Sequence, residues 1–302
     1  MNLKPIIKHL LKKILTLKTM KTSNKLLIAL AISLILIPII VVAITVKMNY
    51  TDKKNALKEN KNEEHFNTRS EGYLSEKISK SFTAVEILDG RGLELDIVLI
   101  KDDNTGVKIS EEFKNLISYD VNDLGVLQIS FKSAVEQKYR RAQLYIYAPN
   151  IVDFSASKGN SLSLWISNRD SLNLKASRIG SVWLNSDSKL NSLSMVADSV
   201  QQFSMDKKTI SSLDLTLKNA DFKTEASSFR SLKINAVGTS NIEIDGDESK
   251  KDKYIIDDLA IITEGKSNIY LTNIKVNKAS GSLSDSTKVN MPVYVLKTMF
   301  KN

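Results

Sequence analysis

Between residues 154 and 276 the chain returns to one short pattern about every twenty residues. Ser171-Leu172-Asn173-Leu174, Ser192-Leu193-Ser194-Met195, Ser212-Leu213-Asp214-Leu215, Ser231-Leu232-Lys233-Ile234 and Asp258-Leu259-Ala260-Ile261 each set two apolar residues one apart behind a small polar residue. The leading leucines are spaced 21, 20, 19 and 27 residues, and the longest interval holds a polar insert, Asp247–Lys253. About ten residues after each member comes a second apolar cluster: Val182/Leu184, Phe203/Met205, Phe222, Ile242/Ile244 and Ile269/Leu271. Phe154 with Leu162/Leu164 supplies an earlier unit, and Ile274/Val276 a last one.

A two-strand unit recurring at this interval predicts an all-β fold, a parallel β-solenoid with rungs of about 20 residues. Inward residues would stack on their equivalents one rung away, at about 4.8 Å per rung. The outward Ser, Asn, Asp, Lys and Thr side chains would hydrogen-bond along the stack. A β-sandwich with a strand every ten residues is the competing architecture. Ahead of the repeat, Phe82–Leu88, Leu93–Ile100, Val107–Ile109, Val126–Phe131 and Leu144–Tyr147 alternate with period two and are separated by turn sequences, so they also predict strands. Ser110–Asn122 is the one segment in this half that reads as a short helix.

The formal charge of +9 invites a nucleic-acid reading, but its distribution argues otherwise. Residues 1–47 hold eight lysines and no acidic residue, which leaves 35 basic against 34 acidic side chains in the remainder. Leu26–Val46 is a run of 21 residues without a charge, long enough to cross a hydrocarbon core about 30 Å thick. Seven lysines precede it, which orients the N-terminus to the cytoplasm. The expected organisation is a basic cytoplasmic arm over 1–25, a transmembrane signal anchor over 26–46, a polar linker over 47–79 and a β-solenoid domain over 80–302. That organisation implies a single-pass inner-membrane protein with its C-terminal domain in the periplasm. Cleavage near Val41-Val42-Ala43 and secretion is the alternative. Residues 5–18 have the spacing of a surface-lying amphipathic helix, although Met20 also suits a start site.

Catalytic and metal chemistry have little to draw on. The chain has no cysteine and two histidines, His9 in the basic arm and His65 in the linker, so thiol catalysis, Cys-ligated zinc and His-based triads are not expected. No metal ligand set, no cofactor site and no catalytic residue is assigned. Asp170, Asp187, Asp206, Asp214 and Asp221 are the carboxylates that a polysaccharide-cleaving β-helix enzyme would use, with Arg169, Arg178 and Arg230 nearby. They occur singly at turn positions, where Asp serves local backbone hydrogen bonds.

Trp165 and Trp183 are the candidate ligand- or partner-binding residues. If Leu162/Leu164 and Val182/Leu184 stack inward on adjacent rungs, both tryptophans turn outward on one face, offset by two positions. There they could meet a sugar ring or an envelope protein. The clusters Lys138–Arg141 and Lys250–Lys253 read as solvated loops, and Val289–Phe300 is apolar enough to close the end of the stack.

The strand series from Phe82 through Leu144-Tyr145-Ile146-Tyr147-Ala148-Pro149-Asn150, followed by the serial rungs, resembles the auto-transporter adhesin head, or GIN, domain family over about residues 80–290. Where members usually carry Ser-Gly-Ser turns, this chain has Ser157-Lys158-Gly159-Asn160 and Ala236-Val237-Gly238-Thr239. The resemblance implies an exported, non-enzymatic, adhesin-like module. Its expected partners are the lipid bilayer through residues 26–46 and a glycan or envelope protein, not nucleic acid. A carbohydrate-active β-helix enzyme, and an envelope sensor working through the basic arm, are the alternatives.

Overall fold

The structure, a computed structural model of the 302-residue chain, describes residues 22, 26, 27, 30–38, 65–133, 139–167, 169–185, 187–250 and 253–300. The chain divides into two units, Met1–Glu63 and Glu64–Asn302. In the first, residues 30–38 are helical and Ser33 Oγ donates to the Leu30 carbonyl at 2.8 Å. Among the described residues no helix is long and apolar enough to cross a membrane. Most of the basic arm, much of the 26–46 span and the linker as far as Glu64 lie outside the described residues, as does His9.

The second unit is all-β. Its early strands are β1 (Tyr73–Lys77), β2 (Ala84–Asp89), β3 (Glu94–Lys101), β4 (Gly106–Ser110), β5 (Ile117–Val121), β6 (Val126–Phe131) and β7 (Arg141–Ala148). Next come β8 (Asp153–Ser157), β9 (Ser161–Ile166), β10 (Arg169–Ser177), β11 (Ser181–Leu184), β12 (Leu190–Asp198) and β13 (Gln202–Asp206). The last are β14 (Thr209–Lys218), β15 (Phe222–Glu225), β16 (Ser228–Asp245), β17 (Ile255–Thr272), β18 (Lys275–Ser282) and β19 (Lys288–Asn290). All join one sheet, most of it folded into two ladders of parallel strands, with β1, β4 and β5 attached antiparallel. Ladder A runs β6, β2, β8, β10, β12, β14, the first halves of β16 and β17, then β18. Ladder B runs β7, β3, β9, β11, β13, β15, the second halves of β16 and β17, then β19.

The registers explain the repeat. Leu172, Leu193, Leu213, Leu232 and Leu259 are successive neighbours in one inward column of ladder A. In ladder B, Leu162, Val182, Phe203, Phe222, Ile242 and Ile269 form another, with the Phe203 and Phe222 rings stacked 5.6 Å apart. These columns meet in one continuous core. Stacking an apolar side chain on its equivalent removes both from water, at about 25 cal/mol per Å² of apolar surface.

Corners explain the variable turns. Between ladders A and B six successive rungs, β8/β9 to β17, each place one residue at positive φ: Lys158, Arg178, Ser199 and Asn219 at φ of 57°, 52°, 56° and 49°, then Gly238 and Gly265. Ser, Asn and Asp serve the stack on the outside. Asn173 Nδ2 donates to Asp153 at 3.0 Å, Asn241 to Asp221 at 3.2 Å and Asn277 to Asp257 at 2.8 Å, each across one rung.

Two expectations change. Ser110–Asn122 is not a helix: a 3₁₀ turn, Glu111–Phe113, leads into β5, which pairs antiparallel with β6 and buries Ile117 and Val121. Within 82–148, β2/β3 and β6/β7 are rungs of the stack. They enter out of chain order, so that the β2/β3 rung lies between β6/β7 and β8/β9. The linker ends before residue 79: Phe66 is buried, and β1 pairs antiparallel with β4. The polar character of 65–79 reflects edge and loop positions, while one phenylalanine anchors the segment. At the far end the helix Val293–Met299 lays Val295 and Met299 against β18.

Candidate ligand-binding face

Side chains at alternate positions of ladder B point outward and form columns along the stack. One column reads Gln143, Asp96, Ser163, Trp183, Ser204, Lys223, Glu243, Tyr270 and Asn290. A second, two residues further along the strands, begins Tyr145, Val98, Trp165, and continues beyond β11 as Asp206, Glu225, Asp245 and Thr272. Both tryptophans therefore lie on the outward face, offset by two positions.

Their surroundings differ. Val98, Tyr145 and Trp165 pack against a small cluster of Phe66, Ile100 and Tyr147, with the Phe66 and Tyr147 rings edge to face at 5.5 Å. Phe66 belongs to a strap, residues 65–70, laid over Gly106. Lys108 fixes that strap. Its side chain is fully buried, and Nζ donates to the carbonyls of His65 (3.0 Å) and Thr68 (2.8 Å) and to Ser70 Oγ (3.3 Å), 5.2 Å from the Tyr147 ring centroid. Asp102 grips the other side, accepting from the Phe66 and Asn104 amides. Burial raises its pKa, but these amides and the His65 imidazole outweigh it and hold the carboxyl below its ordinary value. His65 Nδ1 sits 3.4 Å from that carboxylate.

Trp183 stands clear of the strap. It is 44% exposed and, with Leu184, Ser204, Met205, Asp206, Lys207 and Glu225, lines a shallow groove of about 350 Å³. Its immediate column neighbours, Ser163 and Ser204, are too small to cover the indole. Asp206 Oδ1 accepts the Glu225 amide at 2.9 Å, which fixes one carboxylate at the rim. Further along, Lys223 and Glu243 pair at 3.1 Å, and Tyr270 is again 44% exposed. An aromatic plate beside oriented carboxylates can stack on an apolar ring face while accepting hydrogen bonds from its hydroxyls. Tyr270 was not among the sequence candidates. Its signal is the register spacing, which brings it into the Trp183 column across four rungs.

Two of the other carboxylates, Asp170 and Asp221, serve the scaffold. Asp170 accepts from Asn191 Nδ2, and Asp221 from the backbone and side chain of Asn241. Two cations lie in the corner between ladders B and A. Lys208 Nζ donates to the Ser188 carbonyl at 2.6 Å, and desolvation, opposed by Asp187, brings its pKa down to about 8. Arg169 is stacked on Leu190 and reaches the Ile151 carbonyl through Nη1, and burial lowers it to about 10. Among the described residues no group of His, Asp and Glu is arranged to hold a metal ion. Of the basic clusters, Arg141 pairs with Asp96 and Lys250 with Asp247, while Lys138, Lys251 and Asp252 lie outside the described residues.

No family model matches this chain, and neither does any curated protein. Among solved structures, it is similar to a "putative adhesin" from Bacteroides fragilis, with 14% identity over 74% of this chain and 98% of that one, at a TM-score of 0.41. It is also similar to a "putative adhesin" from Parabacteroides merdae, with 17% identity, 72% and 95% coverage and a TM-score of 0.37. A third is a "putative lipid binding protein" from Parabacteroides distasonis, with 12% identity, 74% and 98% coverage and a TM-score of 0.35.

Proposed function

We propose that this chain is a non-enzymatic, adhesin-like binding module: a parallel β-solenoid of the GIN type, tethered to the cell envelope through residues 26–46, that takes a saccharide on the outer face of ladder B. One observation carries the reading. Trp183 is exposed in a groove whose rim supplies Asp206 and Glu225 at fixed register. A sugar ring pairs an apolar face with peripheral hydroxyls, and this arrangement answers both. Solenoid stacking supports it, since each added rung repeats a polar outer position at a spacing of about 4.8 Å, suited to an extended polymer.

Retention of the full-length chain, purified in detergent, on a panel of immobilised envelope and capsular polysaccharides tests this directly. Trp183→Ala should abolish retention on whichever saccharide holds the parent chain, whereas Trp165→Ala, which alters the strap cluster, should leave most of it. Equal retention by the parent and Trp183→Ala chains would remove the basis for the assignment.

A further inference from the structure

The helix that closes the C-terminal end has two apolar stripes. Val295 and Met299, four residues apart, face β18 and are buried. The other stripe, Val293 and Phe300 at a spacing of seven with Lys297 between them, faces away and is 65% and 55% exposed at its two apolar positions. Just before the helix, Val289 on β19 is exposed as well. Tyr294 keeps its ring half exposed while its hydroxyl accepts the Val276 amide at 3.2 Å, which ties the outward stripe to the last rung. Capping the core does not require these outward side chains, since Val295 and Met299 already do so.

Charge separates the occupants that such a surface could have. From residue 275 to the end the chain carries Lys275, Lys278, Lys288, Lys297 and Lys301 against one acid, Asp285. Lys278 lies 3.9 Å from Asp258 on β17, and Lys288 on β19 and Lys297 on the helix are exposed. A two-fold contact between copies would bring like-charged lysines together, which disfavours it. Apolar and aromatic side chains ringed by lysines have the chemistry of an interfacial helix on an anionic bilayer, where the chains enter the headgroup boundary and each lysine gains from the surface potential. We propose that the C-terminal end of the stack, through Val289, Val293, Phe300, Lys288 and Lys297, is a contact surface for an anionic lipid bilayer.

Because the chain has no cysteine, Thr298→Cys places a single environment-sensitive fluorophore beside the stripe without removing any of its residues. The labelled full-length chain is reconstituted into phosphatidylcholine vesicles, with or without 30% phosphatidylglycerol, and quenched with acrylamide. Anionic vesicles should shift the emission to the blue and cut quenching about threefold. Both effects should vanish at 0.5 M salt and in a Val293→Ser/Phe300→Ser background whose tryptophan emission shows an intact fold. A label at Lys233→Cys, on the outer face of ladder A, should stay fully quenchable. Equal quenching in both vesicle types overturns the proposal, as does equal protection of the Lys233→Cys label. Protection that grows with protein concentration in detergent, without anionic lipid, overturns it in favour of a contact between copies.

Discussion

Gly265 stacks directly on Gly238, and a Cβ at position 265 would come within 2.6 Å of the Gly238 carbonyl oxygen. Gly265 also has a φ of 111°, which side-chain-bearing residues rarely adopt. Earlier rungs make this corner with Lys158, Arg178, Ser199 and Asn219 near φ 50–57°, a conformation that non-glycine residues reach at modest cost. Gly265→Ala should therefore destabilise the fold by about 2–4 kcal/mol. Gly159→Ala, whose Cβ would meet nothing closer than 3.4 Å, should cost under about 1 kcal/mol. Urea unfolding followed by tryptophan emission compares the two, and equal midpoints would show that the corner tolerates a side chain.

The strap makes a local prediction. Phe66→Ala removes the ring that fills the space over Gly106 beside Tyr147, and should favour local opening by on the order of 2 kcal/mol. Tryptic cleavage at the exposed Arg69 should then accelerate roughly thirtyfold, with a red shift from Trp165 and no change in the global unfolding midpoint. An unchanged cleavage rate would mean that the strap is held without Phe66.

Lys208 predicts a pH dependence of definite sign. Its folded pKa of about 8 lies below the ordinary lysine value of 10.5, so between these limits the unfolded chain binds a proton that the folded chain does not. Stability contributed at this site is therefore lowest below pH 8 and rises as the pH climbs toward 10.5, by on the order of 1–3 kcal/mol. Lys208→Met should raise the melting temperature at pH 7 and remove this rise relative to the parent chain. A variant less stable at pH 7 would show that the Ser188 contact outweighs the burial of charge.

Rung geometry is measurable with spin labels in the cysteine-free chain. Asp153 and Ser280 stand six steps apart in one outward column of ladder A, and Ser194 and Ser280 four steps apart. At about 4.8 Å per step the label separations should centre near 29 Å and 19 Å. Separations that do not scale with the number of steps would contradict the stacked arrangement.

How far the sequence foretold this molecule depended on whether a feature repeats. The leucine column at 172, 193, 213, 232 and 259 was readable because equivalent positions recur at near-constant spacing and differ in polarity from their neighbours. Val85 and Leu127 occupy one step of another inward column, but the β3–β4 and β5–β6 excursions separate them, and no fixed interval marks them as partners. Phe66 was hidden for a different reason: a lone aromatic in a polar stretch carries no period, and its pocket is built from residues far along the chain. Nor does any period mark Lys208 as the lysine that the corner turns inward. For the binding face, alternation placed Trp165 and Trp183 outward, while their differing surroundings followed from the strap, which the sequence pattern did not reveal.

The binding claim rests on one side chain, and the chain's two tryptophans make it separately observable. Incorporation of 5-fluorotryptophan into the full-length protein gives one ¹⁹F resonance for Trp165, within the strap cluster, and one for Trp183, in the open groove. Titration with the polysaccharide that retains the parent chain should move the Trp183 resonance in a saturable manner and leave Trp165 in place. Saturable binding that leaves the Trp183 resonance unmoved would contradict the account.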